Sequence, residues 1–173
     1  DHGHQLGEHG VMGKMPPGLH PELIDLLMMI RHPRGIGAGQ HISQLVYNID
    51  LVVTALNLLN IEPPKKLDGK DLWTLVTGTH RGRWRGQVTC GFQDYTWVRN
   101  RDYALITRND GSNQSLFDLR SDIGQLKDIG GEAPEVAREL WQQAVEDAGG
   151  KLPLYDIGRE MGQWYQPLIA REV

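Results

Sequence analysis

Asp1-His2-Gly3-His4-Gln5-Leu6-Gly7-Glu8-His9-Gly10-Val11-Met12-Gly13-Lys14 is the stretch on which the reading of this chain turns. Three of the seven histidines fall here, with two carboxylates, four glycines and a closing lysine. Asp, Glu and His are the side chains that hold divalent metals, and adjacent Asp-His offers one hard oxygen and one imidazole nitrogen. Glycines accept backbone angles that a side chain forbids, so a loop can fold closely around an ion. Lys14 adds a point cation suited to an anionic ester. A purification tag would be a plain histidine run, and this ordered alternation is not one.

Working outward, 173 residues suffice for one domain with a core, or for part of a larger one. A net charge of −4, with basic residues scattered except for one cluster, makes no electrostatic case for nucleic acid. No apolar run reaches the roughly 20 residues that span a bilayer as a helix, so no membrane partner is expected. The single cysteine, Cys90, excludes an internal disulfide and a cysteine-built zinc site.

The spacing Asp1-His2-Gly3, then Leu6-Gly7-Glu8-His9-Gly10, then Lys14 resembles a motif of the sulfatase family, within the alkaline-phosphatase superfamily of ester hydrolases. The resemblance implies that Asp1 and His2 ligate the active-site cation and that Lys14 contacts the sulfate of the substrate. The cation is then calcium first, with manganese or magnesium as alternatives. His9 and His20 lie near enough in sequence to line the substrate pocket, and His4 and Glu8 read as residues that stabilise the loop. A metal ligand at residue 1 would set a charged α-amino group beside a cation. The expectation is therefore that this is the C-terminal part of a sulfatase. Its missing N-terminal portion would supply further carboxylates and the nucleophile, a residue oxidised to formylglycine in the family. The implied fold is α/β: the C-terminal part of an alkaline-phosphatase-like sulfatase fold, ending in a small antiparallel sheet packed by a C-terminal helix.

Residues 1–80 read as the C-terminal portion of the catalytic domain. Leu26-Leu27-Met28-Met29-Ile30 is a short unbroken apolar run, which suits a strand buried on both faces. Where the family has an arginine and a proline here, this chain has neither, so no role of theirs carries over. Val46 to Leu56 again resembles the family. Asp50 reads as the N-cap of a helix from Leu51 to Asn60, with Val52, Leu56 and Leu59 on one apolar face. Asp71 is expected to cap a short helix over Leu72 to Val76.

Residues 81–150 read as a sheet-plus-helix subdomain. Arg81-Gly82-Arg83-Trp84-Arg85 is the basic cluster, read as a solvated surface loop. Val88–Phe92, Tyr95–Arg99 and Tyr103–Thr107 are β-branched and aromatic, joined by short polar turns, and predict an antiparallel meander. Cys90 reads as core filling, since no Pro-Ser-Arg or Ala-Ser-Arg follows it. Leu116 to Asp122 resembles a further family segment. Pro134 to Asp147 predicts a helix with Val136, Leu140, Trp141, Ala144 and Val145 as its stripe, ended by Gly149-Gly150. Residues 151–173 form an extension whose Tyr155, Met161, Trp164, Tyr165 and Leu168 could cover the core or a neighbouring copy in a homo-oligomer.

The expected substrate is a sulfate-ester small molecule or sugar, and the chain alone is expected to be inactive. Two alternatives stay open: a phosphonate or phosphodiester hydrolase of the same superfamily, and a non-catalytic His-rich metal-binding module.

Overall fold

The computed structural model describes residues 2–63 and 65–154. Alternation of apolar residues over 88–118 makes four strands: β1 (Val88–Phe92), β2 (Tyr95–Arg99), β3 (Tyr103–Arg108) and β4 (Ser115–Asp118). They lie in sequence order in one sheet, and the β2–β3 and β3–β4 pairings are antiparallel. Val98 faces Leu105, and Leu105 faces Leu116 across the next pair. This register puts all three on one face, because alternate residues share a side of the sheet.

The helix α1 (Pro134–Asp147) closes over that face. Proline suits its first turn, where an amide would lack a partner anyway. Ala137, Leu140 and Ala144 recur at helical spacing and form one buried cluster with Val98, Leu105 and Leu116. Val136 and Trp141 pack at its margin, as expected, but Ala137 takes a central place that its small side chain had not advertised. The helix ends on two glycines at positive φ, with the Gly150 amide donating to the Val145 carbonyl at 2.8 Å.

The chain separates into two compact units, residues 26–88 and residues 2–25 with 89 onward. The first unit carries two helices, α2 (Asp50–Leu58) and α3 (Trp73–Val76). Here the expectations need correction. Leu26 to Ile30 forms no strand, and Leu27 and Met29 are 83% and 81% exposed. Such a strand needs partner strands at its edges as well as cover on its faces, and among the described residues no strand pairs with it. Helix α2 begins at Asp50 itself, so Asp50 is not its cap. Its buried side is Asp50 and Thr54, and Val52 and Leu59 lie exposed.

Asp50 instead anchors the unit. Its carboxylate accepts from the Tyr47 and Lys70 amides, each at 2.7 Å, and from both terminal nitrogens of Arg85. Burial pushes this carboxyl up, but Arg85 and the two amides outweigh it and hold its pKa below the usual aspartate value. Arg85, read as part of a solvated loop, is thus a buried structural partner, while the Trp84 indole donates to the Leu45 carbonyl at 2.7 Å. Asp71 does serve α3, its carboxylate accepting from the Trp73 amide at 2.8 Å. The expectations for Tyr155, Met161, Trp164, Tyr165 and Leu168 fall outside the described residues.

Candidate functional site

The opening stretch folds as a narrow ribbon. Gln5 pairs with Gly13 and Leu6 with Met12, antiparallel, and the Gly7 amide donates to the Val11 carbonyl to close the loop. The Glu8 carboxylate accepts from the Leu6 amide at 2.6 Å, and that bond holds its pKa below the ordinary value. Glu8 therefore stabilises the loop, the part assigned to it from the sequence. Its neighbour His9 stands at φ 56, in the left-handed region, between two glycines that share positive φ.

Ribbon pairing brings the two ends of the motif together. Lys14 Nζ lies 3.1 Å from His2 Nε2 and 5.6 Å from the centre of the Phe92 ring. The His2 Nδ1 atom lies 2.8 Å from the Gly3 carbonyl. That carbonyl can only accept, so Nδ1 carries the proton and Nε2 presents its lone pair. That lone pair accepts from the Lys14 ammonium, and it is the one that would ligate a metal if Lys14 moved away. His2 and Lys14 are both exposed, and Asp1 lies outside the described residues. Among the described residues no group of three or more His, Cys, Asp or Glu is disposed to hold a metal ion.

Gly3 fixes this end to the rest of its unit. Its amide donates to the Leu23 carbonyl at 2.8 Å, and a Cβ on Gly3 would fall 1.8 Å from the Glu22 carbonyl oxygen. No other residue type fits that backbone-to-backbone approach.

His9 and His20 meet, but they face each other. Their rings stack 3.7 Å apart and 5° from parallel, with the Phe117 ring edge-on to His20. His9 exposes 9% of its side chain, and its Nε2 lies 3.3 Å from the Glu22 carboxylate without the alignment of a hydrogen bond. Burial, and then the neighbouring His9, lower the pKa of His20, against an opposing polar contact with Gln125. Burial also pushes the Cys90 thiol up to about 11, so it is no nucleophile at neutral pH.

Glu22 and Phe92 were missed from sequence. Each is an ordinary residue of its own segment, and only the packing of residues 2–25 with the sheet brings them here.

Residues 7–148 match the family described as N-sulphoglucosamine sulphohydrolase, C-terminal. The chain belongs to this sulfatase family. An N-acetylglucosamine-6-O-sulfatase of Bacteroides thetaiotaomicron is 27% identical over 160 residues, which are 84% of this chain and 28% of that protein. Human arylsulfatase K is 28% identical over 157 residues, 83% of this chain and 29% of its own length. A protein solved in complex with its substrate D-glucosamine-2-N,6-O-disulfate shares the fold, with a TM-score of 0.72 and 23% identity. That likeness covers 86% of this chain and 33% of the other. This member of the family thus spans under a third of the length of the curated relatives it matches. Its sheet and closing helix are those of the C-terminal part of a sulfatase.

Proposed function

We propose that this chain is the C-terminal part of a hydrolase of sulfate esters, bringing cation ligands and a sulfate-contacting lysine to a site completed by other residues. The observation that carries the reading is the 3.1 Å approach of Lys14 Nζ to His2 Nε2, which gathers the two ends of the motif at one exposed point. Asp1 and His2 would hold a divalent cation, with calcium first and manganese or magnesium as alternatives. His2 Nε2 carries the lone pair such a ligand needs, but Lys14 donates to it here, so a bound cation would take the ammonium's place and release Lys14 towards the ester. One carboxylate and one imidazole make part of a coordination shell, so further ligands belong to a longer polypeptide. When bound, the cation supplies charge stabilisation to an ester oxygen.

Lys14 does its part through charge. A sulfuryl group gathers negative charge on its outer oxygens in the transition state, and a preplaced ammonium stabilises that charge. The His9–His20 stack ties the Glu8–Gly10 turn to the segment around His20. Contact of these two rings with substrate is the weaker assignment, since each ring is largely occupied by the other. Names of the relatives point to sulfated glucosamine as the first substrate to try.

The test is sulfate release from glucosamine 6-sulfate by the longer polypeptide that carries these residues, with and without chelator. Chelator-sensitive release that the 173-residue chain alone does not show supports the reading. Turnover by the isolated chain contradicts it, as does micromolar zinc binding that depends on His4 and His9 but not on Asp1.

A further inference from the structure

Charge is divided unevenly along this chain. Residues 26–88 carry eight lysines and arginines against four aspartates and glutamates, a net +4, whereas the whole chain stands at −4. Two of those four carboxylates are already engaged. Asp50 is held by Arg85, and Asp71 accepts from the Trp73 amide and the Asn57 side chain. Arg31, Arg34, Arg81 and Arg83 are exposed, and among the described residues none of the four makes an ion pair.

Two loops carry these arginines, and both are pinned to the first two residues of α3. The His32 ring packs on the Trp73 ring, 4.9 Å between centres, and the Arg34 amide donates to His32 Nδ1 at 3.2 Å. Arg31 and Arg34 therefore flank a side chain seated on Trp73. Beyond the helix the chain folds back, and the Thr79 and His80 amides both donate to the Thr74 carbonyl, at 2.9 and 3.1 Å. Arg81 follows directly, with Arg83 after it. Gly35 and Gly82 take positive φ, so each loop turns sharply beside its arginines. Sequence positions about fifty residues apart thus bring their guanidinium groups to one short helix.

We propose that these two loops form a docking surface for a sulfated polysaccharide. A guanidinium fork matches the paired oxygens of a tetrahedral oxyanion and is weakly hydrated, so an arginine without a carboxylate partner is free to take one. Four such groups shared between two loops fit a ligand that repeats its charge along its length better than a single ion. The proposal rests on the functional reading above, because a hydrolase of sulfate esters is what selects a sulfated glycan over other polyanions. On this account the arginines hold sulfates that are not being cleaved. They are different residues from the His2–Lys14 pair, and they favour a polymer over its monosaccharide.

The test compares two substrates in the longer polypeptide: a heparin oligosaccharide and glucosamine 6-sulfate. The fourfold variant Arg31→Ser, Arg34→Ser, Arg81→Ser and Arg83→Ser should raise KM for the oligosaccharide roughly 10-fold. Its kcat, and its KM for the monosaccharide, should stay at the wild-type values. Arg101→Ser with Arg138→Ser, two exposed arginines of the other unit, should change neither KM. Added salt should raise the oligosaccharide KM more steeply in wild type than in the fourfold variant, which displaces fewer counterions. If the fourfold protein does not accumulate, the two double variants, one per loop, are read the same way, each expected at roughly 3-fold. An unchanged oligosaccharide KM overturns the proposal, as does an equal loss on the monosaccharide. Binding of a fluorescent heparin oligosaccharide, followed by anisotropy, gives a readout apart from activity. Competition by single-stranded DNA of matched charge as strong as that by unlabelled oligosaccharide also overturns the assignment to a sulfated glycan. Binding that the fourfold variant loses, in a protein that releases no sulfate, would leave the docking surface standing and refute the sulfatase reading.

Discussion

Arg85 grips Asp50 through both guanidinium nitrogens, thirty-five residues away in sequence, and Asp50 has no exposed surface. The pair, with the Tyr47 and Lys70 amides, ties the loops on either side of α2 to one carboxylate. Removing one partner leaves the other charge buried and alone. Asp50→Ala is expected to destabilise this unit by about 3–5 kcal/mol. Urea unfolding followed by the fluorescence of Trp84, whose indole is bonded within the same unit, measures it.

The same carboxylate sets an acid limit. Its folded pKa lies below its ordinary value of 3.8, so its stabilisation is full above that pH and is lost as pH falls through the lower folded value. Acid unfolding of wild type monitored at Trp84 should therefore steepen below about pH 4. The Asp50→Asn protein, less stable throughout, should lack that steepening.

The His9–His20 stack gives a second, milder pH response. The pKa of His20 is lowered from its ordinary 6.5, so the unfolded chain binds the proton more readily. Stability is full above 6.5 and declines as pH falls from there towards the folded value. His20→Phe keeps an aromatic ring against Phe117 and removes the titration. Its melting temperature should change less than wild type's between about pH 7.5 and 5.5.

Gly3→Ala tests how the motif is held. The added methyl would enter the Glu22 carbonyl, so the backbone of residues 2–4 must move. Faster exchange of the Gly3 amide, now bonded to Leu23, is the expected result, with the sheet unaffected.

Much of this was legible in the sequence because it rests on local periodicity. The strands from Val88, the helix from Pro134 and the Glu8-braced loop all follow from alternation, helical spacing and turn residues. What escaped was decided by partners distant in the chain. Arg85 has no feature that separates it from Arg81 and Arg83 until Asp50 is placed beside it. His9 and His20 are eleven residues apart, at no regular spacing, and their stack depends on the turn at Gly7–Gly10. Leu26–Ile30 reads as a strand by composition, yet pairing needs a neighbour that the described residues lack. At the site, the sequence read a glycine-rich loop, but neither its antiparallel pairing nor the contact of Lys14 with Phe92.

The central claim is that Lys14 stabilises the sulfate ester in its transition state. It is tested most directly by kcat/KM for sulfate release from glucosamine 6-sulfate by the longer polypeptide, wild type against Lys14→Ala. Loss of an oxyanion-type donor costs about 2–4 kcal/mol, so the variant should fall by roughly 30- to 1,000-fold, chiefly in kcat. An unchanged kcat/KM in a folded variant would contradict the assignment.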